Sequence, residues 1–227
     1  MASRISFRCV AFTSALCALS YPLHAAVVTG KVEVRTAPGA SPAPTVVYAE
    51  PVDKAAPTRP LTVRLSQKNK MFAPAILAVP VGSTIEFPND DPIFHNVFSL
   101  SAPAPFDLGL YRAGASKSRR FTQAGSYRVF CNIHPQMMAH ITVAPTPFVT
   151  IAGPDGRFTL DLPAGAYRIT ARSDRAAAVT VAMTVGAGAD TVPELKLDES
   201  RYVAIPHKNK FGRDYPASAY ERKGGGS

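Results

Sequence analysis

Residues 130–140 read FCNIHPQMMAH, placing one cysteine, two histidines and two methionines within eleven positions. The run that enters this stretch, SYRVF (126–130), is rich in β-branched and aromatic residues and predicts a strand. With a side-chain period of two, Tyr127, Val129 and Cys131 share one face, and Arg128 and Phe130 share the other. The apolar face therefore carries the thiol to the end of a core. His134 follows after two intervening residues, close enough for both side chains to turn inward from one tight loop, and Pro135 stiffens that loop. Soft and borderline donors concentrated in this way raise the question of a metal. A cysteine near a histidine does not decide it; the rest of the chain must supply a further ligand, a scaffold and a compartment.

The scaffold reads as all-β. VVTGKVEV (27–34), TVVYA (45–49), LTVRL (61–65), STIEF (83–87), HITV (140–143), RFTLDL (157–162) and AYRITA (166–171) are short apolar runs bounded by turns. No stretch beyond the first 25 residues carries a sustained helical period, so β-sandwiches or barrels are expected. MFAPAILAVPVGSTIEFPNDDPIFHNVFS gives a strand, a Val-Gly turn, a strand, a polar turn through Asn89, Asp90 and Asp91, and a strand bearing His95. RRFTQAGSYRVF gives strand, Ala-Gly turn, strand.

Residues 1–25 supply the compartment. Arg4 and Arg8 precede an apolar run from Val10 to Leu19, with small residues near Ala25, the order of a secretory signal. The run is short of the roughly 18 apolar residues of a membrane span, and Leu16 before Cys17 argues against lipoprotein processing. Cleavage there predicts a periplasmic or secreted protein with no transmembrane segment. Cys9 and Cys17 leave with the signal, so Cys131 remains alone, as a reactive or ligating thiol or as a small buried hydrophobe. Loss of Arg4 and Arg8 leaves 23 basic residues against 16 acidic ones, a charge of +7 that favours acidic partners or an envelope surface. No nucleic-acid motif is present, and no nucleophile triad, phosphate loop or nucleotide fingerprint marks an enzyme. Asp90, Asp91 and Asp107 read as turn and loop residues.

Residues 61–143 resemble the cupredoxins, the plastocyanin and amicyanin family of small blue copper proteins. The resemblance rests on F-x-P at Phe72–Pro74, V-x-x-G-x-x-I-x-F-x-N ending at Asn89, the His95–Asn96 pair, and C-x-x-H-x-x-M at 131–137. It extends to exported methylamine-utilisation-type plastocyanin-like proteins, in which FDLG and CNIHP recur. It implies a Greek-key β-sandwich over 60–144 holding one type-1 copper ion through His95, Cys131, His134 and an axial methionine. The donor chemistry agrees: two imidazoles, a thiolate and a weak thioether suit electron-transfer copper, whereas structural zinc usually takes more cysteines. Met137 and Met138 compete for the axial place. The short His134–Pro135–Gln136–Met137 spacing matches amicyanin, and adjacent residues of a strand face opposite ways, so Met137 is expected inside. The family places Asn96 as a hydrogen-bonding partner of the cysteine loop. It makes the exposed edge of His134 an electron port ringed by Pro135, Phe72 and Pro74. Phe130 takes the position of an exposed aromatic or packs on a second domain, and His140 is expected to face solvent.

The remaining sequence resembles a carboxypeptidase regulatory-like, transthyretin-like β-sandwich. Its D-G turn lies at 155–156, while the opening G-x-V and A-P-x-V-V-Y strands sit upstream at Gly30–Val32 and Ala43–Tyr48. The economical layout is discontinuous: 27–52 and 146–198 form one sandwich, interrupted by the copper domain at 60–144. A basic tail occupies 199–227, lying along the sandwich or meeting an acidic partner. The whole predicts an exported blue copper protein passing single electrons between envelope redox partners. Copper delivery or storage, or an envelope interaction module with a structural metal, are the alternatives.

Overall fold

Short strands and tight turns account for residues 25–57 and 59–215, the part of the chain described by the computed structural model; these residues contain no helix. The signal segment, apart from Ala25, and the chain after Tyr215 lie outside them. Two strands come first, β1 (Ala26–Arg35) and β2 (Val46–Pro51). Ten follow: β3 (Thr62–Arg64), β4 (Ser66–Lys68), β5 (Met71–Ala73), β6 (Ile76–Pro80), β7 (Thr84–Pro88), β8 (His95–Ser99), β9 (Phe106–Tyr111), β10 (Ser116–Arg120), β11 (Gly125–Phe130) and β12 (Met138–Ala144). The last six are β13 (Val149–Ile151), β14 (Arg157–Leu162), β15 (Gly165–Arg172), β16 (Val179–Val185), β17 (Asp190–Thr191) and β18 (Leu195–Asp198).

Residues 62–144 build one sandwich. A five-stranded sheet in the order β6-β12-β11-β8-β9 faces the three-stranded sheet β10-β7-β3, with the β4–β5 hairpin beside them. Between the sheets lie Leu65, Ile85, Phe87, Val97, Phe121, Tyr127, Val129 and Ile141. Phe121 meets Phe106 and Tyr127 edge-to-face, the arrangement aromatic quadrupoles prefer. The buried Tyr127 keeps its hydroxyl satisfied by donating to the Gln123 carbonyl at 2.9 Å.

The first two strands belong elsewhere. β1 pairs antiparallel with β14 over its first half and parallel with β18 over its second, where Val32 lies opposite Leu195. β2 sits between β13 and β15, with β16 at the edge. These two four-stranded sheets enclose a second core of Val28, Val47, Phe158, Leu160, Leu162, Tyr167, Ile169, Leu195 and Leu197. RFTLDL illustrates the local cause: in β14 Phe158, Leu160 and Leu162 point inward while Arg157, Thr159 and Asp161 point out. The turn before it needs Gly156. Its φ is +79°, and a Cβ there would sit 2.1 Å from the Val32 carbonyl oxygen, which accepts no such contact.

The two sandwiches touch along β12. His140 does not face solvent: its Nδ1 lies 3.4 Å from the Asp174 carboxylate of the second sandwich, and both side chains are largely covered. The sequence had no means of pairing two residues that meet only across this contact.

Candidate metal centre

β8 and the loop between β11 and β12 meet at one end of the first sandwich. All five residues of β8 are buried, which is why HNVFS carries no polar alternation. Its ladder with β9 slips in register between Asn96 and Phe98, an irregularity of the kind that re-aims side chains beside functional sites. β11 behaves as its alternation demands: Tyr127, Val129 and Cys131 all enter the core.

Three donor atoms converge. The Cys131 Sγ lies 3.8 Å from His95 Nδ1 and 3.7 Å from His134 Nδ1, and the two nitrogens are 3.1 Å apart. The point equidistant from all three is about 2.1 Å from each. That matches transition-metal bonds to imidazole nitrogen and falls slightly short of those to thiolate sulfur (roughly 2.0–2.1 and 2.3 Å for zinc). Cys131 and His95 are fully buried, and His134 is half-buried. Among the described residues this is the sole grouping of three or more His, Cys, Asp or Glu side chains able to share an ion.

Each donor is held from behind. His95 Nε2 lies 2.7 Å from Asp91 Oδ2. A carboxylate only accepts, so Nε2 carries the proton and the Nδ1 lone pair faces Cys131 and His134. Asp91 is itself fixed by the amides of Asn69 and Lys70 at 2.5 and 2.8 Å. Burial works against its charge, but the hydrogen bonds from Lys70, His95 and Asn69 outweigh that and hold the carboxyl below its ordinary range. The Asn96 amide donates to Cys131 Sγ at 3.5 Å. The Asn96 side-chain oxygen accepts from the Asn132 amide at 3.3 Å, and its nitrogen donates to Asp107 at 2.7 Å. Asn96 thus ties the histidine strand to the cysteine loop. Burial pushes the Cys131 thiol up, against the opposing pull of the Asn96, Ile133 and His134 amides. Burial, with the neighbouring charges of His95 and Lys70, pushes the His134 imidazole down, so it is a neutral lone-pair donor near neutrality.

The loop closes through two backbone bonds, Met137 N–H to the His134 carbonyl at 2.9 Å and Cys131 N–H to the Met137 carbonyl at 3.4 Å. Met137 is fully buried in the same cluster as Cys131. Met138 is 39% exposed, with its sulfur 3.9 Å from Arg128 Nη2.

The expected apolar ring around His134 is placed differently. Phe72 is a core residue, because β5 alternates and its middle position points into the sandwich. Pro135 is buried rather than rimming the site, because the C-terminal segment covers it; Pro74 alone of the three is exposed. Phe130 is neither an exposed aromatic nor packed on the second sandwich. It is 5% exposed and stacked under His207. In the sequence Asp91 and Asp107 read as turn and loop residues, and no motif marks His207, Lys210 or Tyr215. The Asp91–His95 spacing of four was the only sequence signal, and a polar turn accounts for it equally well.

No protein-family model matches the chain, and no curated protein does. Its solved structural neighbours are cupredoxins at low coverage. A Cu-containing nitrite reductase from Thermus scotoductus SA-01 is 30% identical over 42% of this chain and 25% of its own, with a TM-score of 0.35. An amicyanin variant in the Cu(I) state is 23% identical over 37% of this chain and 82% of its own, TM-score 0.35. A purple cupredoxin from Nitrosopumilus maritimus is 23% identical over 36% of this chain and 99% of its own, TM-score 0.33. The chain spans about a quarter of the nitrite reductase's length.

Proposed function

We propose that the chain is an exported single-copper protein that carries electrons one at a time between envelope partners, and that it is not an enzyme. The observation behind this reading is the buried triangle of His95 Nδ1, His134 Nδ1 and Cys131 Sγ, whose edges of 3.1–3.8 Å suit one transition-metal ion. The donor types fit copper best: a thiolate with two imidazoles, Met137 being the weak fourth donor. Copper bound there supplies a one-electron couple.

The chain's own residues do the rest. Asp91 fixes the His95 tautomer, and the Asn96 amide donates to the sulfur. A ligand set that is already assembled needs little rearrangement on gain or loss of an electron. The buried core excludes water from Cys131 and His95, and half-buried His134 brings the centre to the surface, where we place the electron port with Pro74 at its rim. The +7 charge left after signal removal suits an acidic redox partner. The second sandwich, which resembles carboxypeptidase regulatory-like domains in sequence, is assigned to docking.

Adding Cu(II) to the metal-free protein should produce an intense visible thiolate-to-copper band that disappears on one-electron reduction and returns on oxidation. Cys131→Ser should abolish it. A band that persists in that variant, or copper binding without reversible reduction, would overturn the reading.

A further inference from the structure

Residues 207–215 cross the loop that bears Cys131 and His134, and they hold it at several points. The His207 ring stacks on Phe130 with centroids 3.9 Å apart and planes 15° from parallel. Its Nε2 donates to the Pro135 carbonyl at 2.6 Å. The Lys210 amide donates to Asn132 Oδ1 at 3.0 Å. The Lys210 ammonium donates to Asp107 Oδ2 at 2.8 Å, and the other Asp107 oxygen accepts from Asn96. The Tyr215 hydroxyl donates to the carbonyl of Cys131 itself at 3.2 Å, and its ring meets His207 edge-on.

These contacts are not those of a tail seeking apolar cover. Phe211 is 70% exposed, and Ile205 just before the segment is 74% exposed, so these large apolar side chains face water while the segment's polar groups face the loop. The loop's internal backbone bonds noted above are two, one of them long. The crossing segment adds partners at Cys131, Asn132 and Pro135, and through Asp107 it reaches Asn96.

We propose that residues 207–215 form a clamp that keeps the ligand loop in its ligating conformation, with His207, Lys210 and Tyr215 as positioning residues. By covering Phe130 they also close the sheet face next to Cys131. Opening of the loop, and therefore access to the thiol, requires the clamp to lift. This goes beyond the electron-carrier reading and does not depend on which metal binds.

The test uses metal-free full-length chain with Cys9→Ser and Cys17→Ser, so that Cys131 is the only thiol, and follows its modification by a small disulfide reagent. A chain ending at Pro206, which loses several loop hydrogen bonds, should speed modification about tenfold, and His207→Ala, which loses one such bond and the Phe130 stack, should speed it several-fold. Tyr215→Phe, which removes a single hydroxyl, should give a smaller increase. Ile205→Ala, at an exposed position outside the clamp, should change nothing. The melting temperature should stay within a degree or two of the parent, because both cores are untouched. In copper-loaded protein the same His207→Ala change should shift the thiolate-to-copper band and speed copper removal by a chelator. Unchanged modification rates in His207→Ala and the shortened chain would overturn the clamp. So would faster modification that merely tracks a lowered melting temperature.

Discussion

At His95 the ring is oriented by one carboxylate, and the chemistry of the centre depends on that contact. Asp91→Asn would replace an obligatory acceptor with a group that can present either end, so Nε2 would no longer be compelled to hold the proton. Copper affinity should fall about 10- to 100-fold in competition with a chelator, the usual effect of losing such a partner; unchanged affinity would show that the core alone orients His95. The two methionines give a second residue-level contrast. Met137 is fully buried beside Cys131 and Met138 is turned toward Arg128. Met137→Leu should therefore raise the reduction potential and alter the copper spectrum, and Met138→Leu should leave both alone. The reverse pattern, measured by redox titration, would mean that the outward methionine swings in on metal binding. The residue types at Cys131, His134 and His95 were visible in the sequence. The role of Asp91 was not, because an aspartate in a polar turn looks the same whether or not a histidine folds back onto it.

Strands are the elements whose positions the sequence marks best. β14 alternates cleanly, and β11 does so in its sequence although the covering of Phe130 buries its last two residues together, so both runs could be read directly. β10 was harder. It spans Ser116–Arg120, starting three residues before the RRFTQ run that suggested it and ending inside that run, and is polar because it lies on the sheet edge. Arg119 survives there by laying its guanidinium 4.5 Å over the Phe106 ring. β17, only two residues long, has no periodicity to detect. Turns carry equal weight. Gly156→Ala should destabilise the protein by about 2 kcal/mol or more, through a positive φ and a clash with the Val32 carbonyl. Chemical denaturation would measure this, and a loss of only a few tenths of a kcal/mol would show that the turn can relax. The copper band should remain, since the strained turn lies in the other sandwich.

At the scale of the molecule, two cores share one chain and meet near His140 and Asp174. Burial, the largest influence, lowers the His140 imidazole; Asp174 opposes this, while Arg128 and Arg175 reinforce it. A folded-state value below the ordinary 6.5 means the unfolded chain takes up the proton first. The associated stability is thus fully present above about pH 6.5 and is lost as pH falls through the lowered value. His140→Gln should flatten the acid side of a stability–pH profile, and an unaltered slope would place its origin elsewhere, for instance in His134. The sequence by itself determined the all-β class, most strand positions and the ligand chemistry concentrated around Cys131, because period-two burial and donor types are local properties. Only the tertiary structure decided the order and register in which strands more than a hundred residues apart pair, that Phe72 and Pro135 are covered, and that a tail beginning some seventy residues beyond the ligand loop lies across it. Those outcomes depend on surfaces that exist only once two sheets have closed on each other, and no local pattern encodes them.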